Sequence, residues 1–164
     1  MAELEKQDLN KLKDLERILV KDIMRPVHGG VIDDGTPIVN VLELMASEPR
    51  RRVFYVVRDG RLIGIITPRR LLEFIALKVG KTDVLKREGE AIGLRFLIGT
   101  TAKDYVGELV SVKPDDSIAE ACRKMVEKIM DEIPVITDNG KLIGELSFID
   151  VLNLALQKIK KKPS

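Results

Sequence analysis

The chain has 164 residues, 45% hydrophobic and 33% charged, with a formal net charge of only +2. That is apolar material for one domain, or two small ones sharing a core; the near-balance of charge argues against a general nucleic-acid binder, and six aromatic residues without a tryptophan leave little for base stacking. The single cysteine, Cys122, excludes an intramolecular disulfide, no apolar run approaches the ~20 residues of a membrane helix, and the charged start MAELEKQDLN lacks the apolar core of a secretory signal, so a cytoplasmic protein is expected.

In chain order, Leu4, Leu9, Leu12, Leu15 and Leu19 fall at mostly helical spacing, which predicts an amphipathic N-terminal helix over residues 1–18. A first repeat, 19–79, opens with VKDIM at 20–24 and a short strand over 30–32. Ile38, Val41, Leu42 and Met45 then share one helical face. VFYVV at 53–57 reads as a buried strand, Asp59-Gly60 as a hairpin turn, and LIGII at 62–66 as its return strand. A second helix follows Thr67, with Pro68 suited to its first position. Residues 80–100 read as a connector, and a second repeat, 101–160, runs through the same sequence of elements: a short strand over 110–112, a helix with Ile118, Ala121, Cys122 and Met125 on one face, IPVI at 133–136, a turn at Asp138-Asn139-Gly140, LIGEL at 142–146 and a last helix after Ser147.

Sliding the chain by 80 residues aligns 32–72 with 112–152 without a gap, with identities at Ile38/Ile118, Met45/Met125, Gly60/Gly140, Leu62/Leu142, Ile63/Ile143, Gly64/Gly144 and Leu72/Leu152. Upstream, VKDIM at 20–24 matches AKDYV at 102–106 with an offset of 82. The chain is a duplicated β-α-β-β-α unit of mixed α/β (α+β) class. Each unit alone would be marginal, so two are expected to bury a joint core.

The ordered set KDIM, IPVI before Asp-Asn-Gly, and LIGELSFIDVL resembles a cystathionine-β-synthase (CBS) domain, and its repetition resembles the tandem pair called a Bateman module. The resemblance covers roughly residues 19–160. It implies two repeats packed with pseudo-twofold symmetry and two clefts between them that in some members take an adenosine nucleotide (AMP, ADP or ATP) or S-adenosylmethionine. It also implies a flat homodimer and regulation, including energy sensing, of another protein. No cofactor is required by this reading.

Ser147-x-x-Asp150 admits two readings. One is a helix cap, in which the hydroxyl accepts a backbone N–H and the acid favours the positive end of the helix dipole. The other is a ligand site, because free N–H groups suit phosphate and a carboxylate can accept both ribose hydroxyls; in the resembling family Gly-x-x-Ser/Thr-x-x-Asp is the nucleotide pattern, and Gly144, Ser147 and Asp150 match it. On the family's plan Asp150 would face Arg25, His28, Gly30, Arg51, Arg52 and Val53. The first copy keeps Gly64 and Thr67 but has Arg70 in place of the acid, and a guanidinium cannot accept from ribose. A second, altered cleft with Thr67, Arg70, Val110 and Ile133 follows from the resemblance. Arg70 and the run Arg50–Arg52 read otherwise as solvated residues. The family often has a small or hydroxyl residue at the place of Arg25 and a proline at the place of Phe54, a proline that the second copy keeps as Pro134.

Cys122 falls on an apolar helix face and reads as core. His28, the only histidine, lacks companions for a metal site or a catalytic triad. No P-loop, His/Cys cluster or nucleophile elbow is present, so the expectation is a regulatory binding module rather than an enzyme. The rivals are a ligand-free structural or protein-interaction dimer and, more weakly, nucleic-acid binding through Arg50–Arg52, Arg69, Arg70 and the Lys158–Lys162 tail.

Overall fold

The structure, a computed structural model, describes residues 13–28, 30–79 and 97–160. Most of the expected N-terminal helix, 1–12, most of the connector, 80–96, Gly29 and the last four residues lie outside the described residues. At the described end of the N-terminal segment Asp14–Glu16 form a 3-10 turn, after which the carbonyl of Ile18 and the backbone of Leu19 are drawn into pairing with residues 117 and 118.

The chain divides into two compact bodies, Gly29–Leu109 and Met1–His28 with Val110–Ser164. These bodies cut across the sequence repeats, because each takes its leading segment from the other repeat. In the first body, strands β1 (Val31–Asp33), β2 (Phe54–Arg58) and β3 (Arg61–Ile66) form a sheet in that order, β1 parallel and β3 antiparallel to β2. Helices α1 (Ile38–Ser47) and α2 (Pro68–Val79) accompany it. Asp59 and Gly60, at φ 51° and 74°, make the tight turn that joins β2 to β3. The core gathers Ile32, Ile38, Val41, Phe54, Val56, Ile66 and Leu71 with Leu97, Ala102 and Tyr105. The last two belong to the AKDY 3-10 turn (Ala102–Tyr105) that leads the second repeat.

The second body holds α3 (Ile118–Lys128), the antiparallel pair β4 (Glu132–Ile136) and β5 (Leu142–Ser147), and α4 (Phe148–Lys160). Its core of Val112, Ile118, Ala121, Met125, Ile133, Val135 and Leu146 closes on Val20, from the 3-10 turn Val20–Asp22 that leads the first repeat. Three backbone hydrogen bonds dock the start of each leading segment in the same way. Val20 N–H donates to Asp116 O at 2.8 Å as Ala102 N–H donates to Thr36 O at 2.8 Å. Lys21 N–H donates to Pro114 O as Lys103 N–H donates to Asp34 O, and Ile118 N–H donates to Ile18 O as Ile38 N–H donates to Thr100 O. Each 3-10 turn is held by a capping acid, with Leu19 N–H on Asp22 at 3.0 Å and Thr101 N–H on Asp104 at 2.8 Å.

Two details depart from the sequence expectation. The strand expected over 110–112 is reduced to a single parallel bridge, Val112 to Val135. In the first body Tyr55 N–H donates to Gly30 O at 2.7 Å and lengthens the ladder. Pro134 takes the place of Tyr55 in the second body and has no N–H to give. That equivalence is itself one residue off the ungapped alignment: Pro134 pairs with Glu145 as Tyr55 pairs with Ile65, so Phe54 corresponds to Ile133 and not to the proline. The extra residue lies in the turn, since five residues separate the paired Ile136 and Leu142 whereas four separate the equivalent pair Val57 and Leu62.

Candidate functional site

The site residues on the second body gather at the start of α4. Ser147 ends β5 and caps the helix: its Oγ accepts from Asp150 N–H at 3.2 Å, while Asp150 Oδ2 accepts from Ser147 N–H at 3.0 Å. The same Oδ2 accepts from Ser147 Oγ at 2.7 Å and from Arg25 Nε at 2.9 Å. The cap reading of Ser147 and Asp150 therefore describes a real reciprocal box, and it carries a guanidinium besides. The Asp150 side chain is 19% exposed and that of Arg25 is 44% exposed. Asp150 Oδ1 and the two terminal nitrogens of Arg25 make no hydrogen bond among the described residues. His28 is exposed, further along the same leading segment.

Gly144 is the residue that lets Arg25 reach this place. Arg25 and Glu145 exchange two backbone hydrogen bonds, at 2.9 and 2.8 Å. A Cβ on Gly144 would stand 2.8 Å from Arg25 O and 3.3 Å from Met24 Sδ. Gly64 does the same service in the first body, where a Cβ would stand 2.8 Å from Val106 Cβ and 3.1 Å from Gly107 O. The glycine of the Gly-x-x-Ser/Thr pattern thus has a packing reason in both copies.

In the first body Thr67 Oγ1 accepts from Arg70 N–H at 3.1 Å and caps α2. Arg70 does not project into solvent. Its Nε donates to Tyr105 O at 3.3 Å, its Nη2 to Val106 O at 3.4 Å, and its guanidinium carbon lies 5.2 Å from the Phe74 ring centroid. Phe74 meets Tyr105 edge-on, with centroids 5.0 Å apart. By the offset of 82, Gly107 stands where Arg25 stands, and Gly107 N–H donates to Ile65 O as Arg25 N–H donates to Glu145 O. The exchange of acid for base along the repeat is therefore matched by an exchange in the leading segment. One body has a guanidinium on the leading segment and an acid on the helix; the other has the guanidinium on the helix and bare carbonyls on the leading segment.

The remaining expected residues serve packing as well. Gly30, at φ 66°, is buried against Arg51, whose Cδ would lie 2.7 Å from an added Cβ. Arg51 pairs with Glu48 at 2.9 Å, Arg52 is exposed and Val53 is buried. Arg51 and Arg52 also border an apolar groove of about 360 Å³ between α1 and α2, lined by Leu42, Met45, Leu71 and Ile75 among others. Ile133 is wholly buried in the second body and Val110 packs against the same core. The structure thus brings together Arg25, Ser147 and Asp150 in one body, and Gly30 with Arg51 and Thr67 with Arg70 in the other.

Cys122 is half-buried against the second core, and burial pushes its thiol up from the ordinary value, away from a nucleophile's range. Among the described residues no three His, Cys, Asp or Glu side chains converge as a metal site requires, and no helix is long and apolar enough to cross a membrane. The contact of Arg70 with the second leading segment escaped sequence reasoning; the paired substitution of Gly107 for Arg25 was its only trace.

Residues 20–77 and 102–157 match the family model of the CBS domain. Among solved structures, a CBS domain-containing protein from Thermotoga maritima is similar at 28% identity and a TM-score of 0.68, over 88% of this chain and 98% of that one. CBSX2 from Arabidopsis thaliana, solved in complex with AMP, is similar at 25% identity and a TM-score of 0.64, over 85% of this chain and 97% of that one. An uncharacterised protein of Methanocaldococcus jannaschii is 27% identical over 88% of this chain and 95% of its own length. A homoserine O-acetyltransferase of Methanohalophilus mahii is 24% identical, but the match spans only 26% of that enzyme. With both repeats matched and the shared architecture in place, the chain belongs to the CBS domain family and carries a tandem pair of its domains.

Proposed function

We propose that this protein is a regulatory module, not an enzyme, that binds an adenosine nucleotide through Asp150 at the start of α4 and modulates a separate partner protein. The observation that carries the reading is the Gly144, Ser147, Asp150 set at a helix N-terminus, with a guanidinium already seated on the acid. The similarity to a CBS pair solved with AMP supports the ligand class. Asp150 Oδ1 accepts one ribose hydroxyl and Oδ2, once Arg25 moves, the other. The N–H groups of the first turn and the guanidinium favour phosphate. Binding regulates by favouring one conformation of the pair over another.

Calorimetric titration with AMP, ADP, ATP and S-adenosylmethionine tests this on wild type and Asp150→Ala. Loss of a charge-assisted hydrogen bond to ribose costs about 1.5–3 kcal/mol, roughly 10- to 150-fold in affinity. Absence of binding up to millimolar ligand in the wild type sinks the reading.

A second reading, a protein-interaction dimer, has its own observation. Ile149, Leu152, Leu156 and Ile159 on α4 are 44–58% exposed and recur along one side of the helix. We propose that this row is covered in a homodimer. Leu152→Glu with Leu156→Glu should then yield a monomer in sedimentation, and a wild type that is itself monomeric at high concentration refutes it.

A further inference from the structure

We propose that Arg25 determines which ligand the Asp150 site accepts, selecting anionic nucleotides over the uncharged nucleoside and over S-adenosylmethionine; the inference rests on the nucleotide reading above. A vicinal diol is held best when each hydroxyl donates to a different oxygen of the carboxylate. In this structure Oδ2 is taken three times over, by Ser147 N–H, Ser147 Oγ and Arg25 Nε, while Oδ1 makes no hydrogen bond among the described residues. The Ser147 hydroxyl is used in both directions, donating to Asp150 and accepting from its N–H, so it has no proton left to donate to a phosphate unless the cap opens.

Of the three groups on Oδ2, two are parts of the helix cap and stay with it. Arg25 is the one that can leave: its side chain is 44% exposed, whereas Asp150 is 19% exposed and fixed by the cap. A diol that engages both oxygens displaces the guanidinium from Oδ2. For a nucleoside that displacement breaks a charge-assisted bond and leaves Arg25 without an anion. For a nucleotide the phosphate becomes the new partner, through terminal nitrogens that have none among the described residues. The cationic sulfonium of S-adenosylmethionine would meet the guanidinium as a like charge. The departure of this chain from the family pattern at Arg25 thus acts as a latch that only an anion opens without loss.

The test compares AMP, adenosine and S-adenosylmethionine by calorimetry on wild type, Arg25→Gln and Arg25→Lys, with thermal melting to confirm that each variant is folded. In the wild type AMP should bind at least about tenfold more tightly than adenosine, since charge-assisted contacts exceed neutral ones by roughly that factor. In Arg25→Gln adenosine should tighten about three- to fivefold, the worth of releasing a part-exposed ion pair, and the AMP-to-adenosine ratio should fall by about tenfold. Arg25→Lys should keep most of that ratio. Binding of AMP and adenosine with the same ratio in wild type and Arg25→Gln overturns the inference and leaves the nucleotide reading standing, whereas a wild type that prefers S-adenosylmethionine overturns both. No binding of any adenosine ligand by any of the three proteins overturns the nucleotide reading itself.

Discussion

Replacing Gly144 with alanine probes the contact on which the site depends. A Cβ there would lie 2.8 Å from the carbonyl oxygen of Arg25 and 3.3 Å from Met24 Sδ. The first neighbour is backbone and cannot rotate away, so the leading segment must lift. Lifting it strains or breaks the two hydrogen bonds between Arg25 and Glu145, at 2.9 and 2.8 Å. Each is worth about 0.5–1.5 kcal/mol net, which gives a loss of about 1–3 kcal/mol, and alanine's lower unfolded-state entropy returns about 0.4–1 kcal/mol of it. For a chain of this size a net loss of about 1–2 kcal/mol lowers the melting temperature by roughly 2–8 °C. Gly35→Ala is the control, because nothing lies within 4 Å of its added Cβ and its φ is not positive. It should melt at or slightly above the wild type. Thermal denaturation of the three proteins under one buffer decides the matter, and a Gly144→Ala variant that melts with Gly35→Ala would refute the close-approach argument.

Ile129, exposed and at φ 53° after α3, holds a left-handed conformation that a β-branched residue adopts only with strain; Ile129→Gly should raise stability by about 0.5–1 kcal/mol in urea denaturation. Ser117→Ala removes the acceptor for Glu120 N–H at 3.1 Å and should cost about 1 kcal/mol, read from the same curves. The ammonium of Lys113, hydrogen-bonded to Asp138, holds that carboxyl below the usual carboxylate range. The folded value is therefore lower than the unfolded one, so the pair's contribution is present at neutral pH and is lost as pH falls through the lowered value. An NMR titration should place Asp138 below an ordinary aspartate and return it to the ordinary range in Lys113→Met. The Cys122 thiol should react slowly with a disulfide reagent in native protein and rapidly in urea, because burial disfavours its thiolate.

Much of the fold was legible because the duplication speaks through local chemistry. Asp59-Gly60 announced its turn, and Thr67-Pro68 and Ser147 announced their helices. What the sequence could not convey was partnership. VKDIM and AKDYV look alike wherever they dock, so nothing in them says that Val20 joins the core of Ile118 and Leu146 while Ala102 joins that of Ile38 and Ile66. Pro134 was visible as a residue but not as the missing donor that shortens the strand at Val112, since that depends on a register one residue away from the ungapped alignment. At the candidate site Ser147 and Asp150 were legible as a pair. The seat of Arg25 on Asp150, and the inverse arrangement of Arg70 on Tyr105 and Val106, came from contacts 125 and 35–36 residues apart in the chain.

Whether AMP binds at Asp150 is read from an NMR titration of the backbone amides with AMP, following Ser147 through Asp150 and the side-chain Nε of Arg25. Nucleotide binding at Asp150 should give saturable shifts centred on those residues, with the Arg25 Nε resonance moving as its N–H leaves Asp150 Oδ2. Shifts that never saturate, or that centre away from the start of α4, would contradict it.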